Sequence, residues 1–97
     1  MTQVFYNLLA LDDLERLEDF LLETDTAAAH KTIPLILSAI ETLSLHPKIG
    51  RRRNGQVREL IISRGKTGYV ALYRYDEIRD TVRVLAIRHQ REIGSAE

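Results

Sequence analysis

The sequence predicts an α+β domain of order β-α-α-β-β-β, a two-helix hairpin packed on a three- to four-stranded antiparallel sheet. Three observations carry that reading. From Gln56 onward, β-branched and aromatic runs alternate with Gly- and Asp-containing turns; between Leu14 and Leu43, leucines and isoleucines recur at three- and four-residue spacing; and a short β-prone run precedes them. The 97 residues make one domain, 1–97, and a chain of this size buries roughly 60–70% of the surface its unfolded form exposes, enough for a single core.

In chain order, Thr2 to Leu9, with Val4, Phe5 and Tyr6, reads as a first strand added to the later ones. Asp12 and Asp13 supply carboxylates for a helix N-terminus, where free N–H groups favour negative charge. The helix then runs to about Glu23, burying Leu14, Leu17 and Leu21 with Phe20 beside them and wetting Glu15, Arg16, Glu18 and Asp19. Thr26 reads as the next N-cap, and Ile33, Ile36, Leu37, Ile40 and Leu43 form the second apolar stripe, which Pro47 ends. Pro34 lies inside that pattern and predicts either one kinked helix, the reading adopted, or a main helix starting near Thr32. Lys48 to Gly55, with Arg51, Arg52 and Arg53, reads as an exposed loop able to grip phosphates or an acidic peptide, or simply solvated.

Three strands follow: Gln56 to Ser63, Tyr69 to Tyr75 and Thr81 to Arg88, joined through Arg64-Gly65-Lys66-Thr67-Gly68 and Asp76-Glu77-Ile78-Arg79-Asp80. Period-two alternation places Tyr69, Ala71, Tyr73 and Tyr75 on one face and Val70, Leu72 and Arg74 on the other. In the last strand it sets Val82, Val84 and Ala86 against Leu85 and Ile87. Neither face is plainly polar, so a partner is expected on the second one.

Charge is segregated within a chain of zero net charge. Up to Pro47, eight acids stand against Arg16 and Lys31, a net of −6; from Lys48 on, twelve Lys and Arg stand against six acids, a net of +6. Such asymmetry suits a nucleic-acid or acidic-protein partner, or else pairing of the two halves across the fold. The absence of cysteine excludes disulfides and thiolate metal sites and fits a reducing cytoplasm. Met1 to Asp13 predicts no signal peptide, and no apolar run approaches the roughly 20 residues of a membrane span.

His30, His46 and His89 are too scattered to predict a metal site, and no cofactor loop or nucleophile elbow is present. One candidate reactive cluster remains. Arg88, His89, Arg91 and Glu92 leave the last strand together, and Arg58 and Arg74 on neighbouring strands could join them around a phosphate. The alternative is a strand end solvated by its charges, with His89 as a hydrogen-bonding cap.

The order of strand, acidic helical hairpin, Pro47-Lys48-Ile49-Gly50-Arg51, Arg58-Glu59-Leu60, Gly68-Tyr69 through Tyr73-Arg74, and the ending Ala86-Ile87-Arg88-His89-Gln90-Arg91-Glu92 resembles a known family. Nearly the whole chain is similar to the RelE/ParE superfamily of toxins from type II toxin–antitoxin modules, in its ParE-like, plasmid-stabilisation branch. The resemblance implies a cytoplasmic growth inhibitor without cofactor, neutralised by a cognate antitoxin in a hetero-oligomer, with no role for a membrane.

Two mechanisms divide the superfamily. RelE-type members cut messenger RNA in the ribosome, whereas ParE-type members bind and poison DNA gyrase. Where the nucleases carry paired basic residues on one strand, this chain has Arg58 and then Leu60; where they carry an arginine after the tyrosine that opens the next strand, it has Val70. Arg91 matches the arginine beyond the last strand, but no tyrosine follows it. The resemblance therefore implies a gyrase-binding toxin, with Arg51, Arg52, Arg53, Arg58, Arg74, Arg88, His89 and Arg91 as candidate contacts to target or antitoxin. The alternative is a ribosome-dependent mRNA interferase, an endoribonuclease in which His89, Arg91, Glu92 and Arg58 would do the chemistry.

Overall fold

A computed structural model describes residues 1–63 and 68–89. Strand β1 (Gln3–Tyr6) leads into helices α1 (Leu8–Thr24) and α2 (Thr26–Glu41), and then come β2 (Arg51–Asn54), β3 (Val57–Ile61), β4 (Tyr69–Asp76) and β5 (Thr81–His89). They form two helices on one sheet of five strands, ordered β1-β5-β4-β3-β2. The expected three- to four-stranded antiparallel sheet is thus corrected twice. β1 runs parallel to β5, with Val4 opposite Val82 and Tyr6 opposite Val84, as the helical crossover between them allows. The fifth strand is the supposed loop Arg51–Asn54, which pairs with β3 through the turn residues Gly55 and Gln56, Gly55 supplying the positive φ of 56° such a turn needs.

α1 begins four residues earlier than Asp12. Asn7 precedes its first turn in extended conformation, and Leu8 and Leu9, expected in the strand, are helical. Asp13 is consequently buried in the helix body rather than serving its N-terminus. Asp25 alone separates the helices: its N–H donates to Leu21 O at 2.6 Å and its carboxylate accepts from Ala28 N at 3.1 Å, so Asp25 rather than Thr26 caps α2. α2 passes through Pro34 as one helix, with the proline on its exposed side. It ends at Glu41 in a 3₁₀ turn, Thr42–Ser44, before Pro47 is reached.

Leu17, Ile36, Ile40 and Leu43 pack on Tyr69, Ala71 and Tyr73 of β4 and Val82, Val84 and Ile87 of β5. Ile87 shares a face with Val84 because of a bulge: Leu72 lies opposite Ala86 and Tyr73 opposite Val84, leaving Leu85 as an extra residue that shifts the alternation by one. Leu14 and Leu21 are half-buried, whereas Phe20 and Leu37 are exposed. The sheet's second face is more closed than expected, with Val70 and Glu59 buried. The exposed large apolar side chains lie chiefly on the helical hairpin, among them Leu8, Leu9, Phe20 and Leu35.

One side chain holds the connection into β2. The fully buried Tyr73 hydroxyl donates to Pro47 O at 2.8 Å and accepts from Gly50 N at 2.8 Å, and a Cβ on Gly50 would meet that hydroxyl at 2.5 Å. Burial pushes the Tyr73 hydroxyl pKa up, so it stays protonated and keeps its donor role. Tyr73→Phe is expected to cost about 1–3 kcal/mol by stranding Gly50 N–H and Pro47 C=O. Gly50→Ala is expected to cost a similar amount, about 1–3 kcal/mol, by overpacking; urea denaturation of both variants is the check.

Candidate functional site

Among the described residues, the candidate contacts Arg88 and His89 lie at one end of the sheet and Arg58 and Arg74 at the other. β5 and β4 fix the separation, since His89 faces Tyr69 while Arg83 faces Arg74. Arg58 faces Tyr73. At the usual rise per strand residue, Arg58 and Arg74 therefore lie roughly 13–17 Å along the sheet from His89. The structure places Arg88 and His89 apart from Arg58 and Arg74, which the sequence left as candidates for one phosphate site. Arg91 and Glu92 lie outside the described residues.

At the first end, Asp13 organises the departure of β5. β1 covers the edge of β5 only as far as Val84, whose carbonyl accepts from Asn7 N at 2.9 Å. Beyond that point α1 lies along the edge, and the Asp13 Oδ2 accepts from Ile87 N at 2.9 Å. Arg16 donates to Asp13 Oδ1 at 2.9 Å, and Arg88 approaches the same oxygen at 3.8 Å. A buried carboxylate thus meets a backbone donor and two cations, which offsets its desolvation. His89 stacks edge-on against Tyr69, ring centroids 5.3 Å apart at 84°.

At the other end, cations from both faces converge on a notch between the β2–β3 turn and the β4–β5 turn. It has a volume of about 520 Å³ and is lined by Lys48, Arg52, Arg58, Arg74, Arg79 and Arg83, with Asp76 and Glu77 as its acids. The notch exists because β3 pairs with β4 only as far as Arg74, so Tyr75 and Asp76 run on past it. Arg58 is fixed by donating to Gly50 O at 2.9 Å and Lys48 O at 3.2 Å. Arg83 lies over the Phe5 ring at 5.5 Å and donates to Asn7 Oδ1 at 3.3 Å. Lys48 pairs with Glu77 at 2.7 Å, and that hydrogen bond holds the Glu77 carboxyl below the usual range. Among the described residues, Arg52 and Arg74 make no ion pair.

The three consecutive arginines do not act together. Arg51 Nε donates to Glu59 Oε1 at 3.0 Å and Arg53 stands 4.0 Å from Glu59 Oε2, while Arg52, opposite Arg58, points to the other face and joins the notch. Sequence reasoning missed Asp13, Lys48, Arg79 and Arg83. Asp13 had a usable signal: Ala10, Asp13 and Leu17 share the spacing of a buried helical stripe, and a carboxylate there needs a partner. No described residues form a group of His, Asp and Glu able to hold a metal, and no described helix is long and apolar enough to cross a membrane.

Comparison with known proteins places the chain in a family. The family described as ParE toxin of type II toxin–antitoxin system, parDE, matches residues 4–94. The chain belongs to the ParE toxin family. It is a toxin of the RelE/ParE superfamily of type II toxin–antitoxin systems. Toxin RelE3 of Caulobacter vibrioides is 42% identical over 80 residues, covering 82% of this chain and 85% of that protein. Toxin RelE1 of the same organism is 34% identical over 86 residues, covering 89% and 90%. The structure of a chromosomal ParDE toxin–antitoxin system from P. aeruginosa shares the fold at a TM-score of 0.75 and 20% identity, over 92% of this chain and 96% of that one. A RelBE2 toxin–antitoxin complex from Mycobacterium tuberculosis aligns at a TM-score of 0.57 and 26% identity, covering 91% and 96%.

Asp13→Ala in this toxin is expected to destabilise the fold by about 1–3 kcal/mol, since Ile87 N–H loses its acceptor. Hydrogen exchange should show the Ile87 amide losing protection, whereas an unchanged Ile87 rate would mean that the carboxylate does not seal the strand edge.

Proposed function

We propose that this toxin arrests growth by binding a protein target, DNA gyrase, rather than by cutting RNA, and that a cognate antitoxin holds it inactive in a hetero-oligomer within the cytoplasm. The observation that carries this is the separation of His89 from Arg58 and Arg74. General acid–base cleavage needs its proton donor, its acceptor and the cations for the phosphorane within hydrogen-bond reach of one phosphate, about 2.6–3.2 Å. Among the described residues, His89 has Tyr69 opposite it and Arg88 beside it, while Arg58 and Arg74 belong to the far end. The two positions where RelE-type nucleases carry further cations hold Leu60, packed against the core, and Val70, which is buried. The exposed leucines of the hairpin support the antitoxin part of the reading, since apolar area of this extent on so small a domain suits burial by a partner.

The names of the two Caulobacter relatives favour a second reading, a ribosome-dependent mRNA interferase. In that case His89, Arg91 and Glu92 would assemble on the ribosome. Pulse-labelling after induction of the toxin alone separates the two. Gyrase poisoning is expected to stop thymidine incorporation first while methionine incorporation continues. Early failure of methionine incorporation would instead establish the nuclease. His89→Ala and Arg91→Ala are expected to abolish growth arrest with antitoxin binding intact, checked by plating and by co-purification; full toxicity in both would move the target contact away from the His89 end of the sheet.

A further inference from the structure

We infer that the notch between the β2–β3 and β4–β5 turns is the docking site for an acidic, aliphatic segment of the protein partner. The inference rests on the reading of the chain as a toxin held by another protein, and it assigns that partner a place distinct from the His89 end. Six cations against two acids give the lining a net charge of +4. Two of the cations, Arg52 and Arg74, are exposed and make no ion pair with any described acid, so their donors face solvent. Arg58 is already held rigid by two backbone carbonyls, which lowers the ordering cost of presenting its remaining N–H groups.

The chemistry beside the cations selects the occupant. A second depression, of about 450 Å³, adjoins the notch through the shared Lys48 and Tyr75 and is lined besides by His46, Pro47 and Ile49. Ile49, in this depression, is 59% exposed, and Ile78, in the notch, is 97% exposed. Single-stranded nucleic acid binds through cations interleaved with aromatic faces on which bases stack. Tyr75, half-buried with its hydroxyl held by Asp80, and His46 are the two ring side chains of the lining, too few for a row of stacked bases, whereas the exposed Ile49 and Ile78 match leucine or isoleucine side chains placed between carboxylates. The free run of β4 past Arg74 adds an edge along which an extended segment can lie, its side chains alternating between the apolar depression and the arginines.

The test is fluorescence anisotropy with the purified full chain and two labelled probes of equal charge, a peptide of alternating Glu and Ile and a uridine oligonucleotide. The peptide is expected to bind more tightly. Arg52→Glu and Arg74→Glu, at exposed positions that make no ion pair, are each expected to weaken it at least about tenfold. Lys31→Glu on α2 is expected to leave it unchanged, and thermal unfolding confirms that all variants fold. Replacing Ile by Ser in the peptide is expected to cost affinity as well. Tighter binding of the oligonucleotide would overturn the inference in favour of nucleic acid, and indifference to both charge reversals would overturn it outright. Since the assay involves neither gyrase nor ribosome, its failure leaves the proposed cellular target standing. Conversely, early loss of translation would remove that target without touching the notch.

Discussion

The architecture depends on how the free edge of β5 is closed. β1 has four residues and β5 has nine, so β1 cannot cover the neighbour it pairs with, and β5 would present unpaired backbone beyond Val84. Buried or not, such an edge is a liability, both as unsatisfied polar groups and as a template for another strand. The chain resolves this by turning from strand into helix at once, at Asn7, so that α1 takes over the edge and Asp13 meets Ile87 N–H. That explains why the helix begins at Leu8: a start at Asp12 would leave Asp13 in the first turn, satisfying helix donors instead of the strand. It also explains why a carboxylate sits among Ala10 and Leu17 on the buried stripe.

Tyr73 plays the corresponding part on the other side of the sheet. Its hydroxyl is in contact with both ends of Pro47–Gly50, so the chain enters β2 in a fixed place and direction. Gly50 is required because the hydroxyl occupies the space of a Cβ. From there Arg51 must pair with Glu59 and Arg52 with Arg58, and pleating sends successive arginines to opposite faces. A run that looks like one basic patch in the sequence is therefore divided by its own secondary structure. Glu59 takes Arg51 and Arg53, and Arg52 is left to the notch.

Much of the fold was legible because it is periodic. The cores of both helices, and β3, β4 and β5 to within a few residues, follow from three-four and two-residue repeats in segments long enough to show them. β2 leaves only a weak signal, the glycine of the two-residue turn Gly55-Gln56, beside a run of arginines that has no apolar alternation. The parallel placement of β1 was not legible, since strand order is set by contacts 78 residues apart that leave no local trace. The bulge at Leu85 was equally hidden, and its effect is large: one extra residue returns Ile87 to the core. At the candidate site, the individual basic residues were visible but their grouping was not. Arg74 and Arg83 are adjacent only because the β4–β5 turn closes at Asp80, a non-glycine residue with φ of 51° whose carboxylate takes hydrogen bonds from Thr2 and Tyr75.

The two halves of opposite charge could have neutralised each other across the fold, yet among the described residues Arg88 with Asp13 is the one ion pair that joins them. Asp12, Glu15, Glu18, Asp19 and Glu23 line the exposed side of α1, yet none forms an ion pair with Arg52, Arg58, Arg74 or Arg83 among the described residues. Exposed pairs contribute little to stability, so folding alone gives no strong reason to bring them together. Kept apart, they give the molecule an acidic helical surface and a basic sheet end. An approaching partner with an acidic segment is turned toward the notch over a distance set by screening, about 8–10 Å at moderate salt. Charge alone would make that encounter fast and unselective. The aliphatic rim supplied by Ile49 and Ile78 is what can discriminate, because it rewards a segment that carries apolar side chains between its carboxylates and gives nothing to one that carries charge alone.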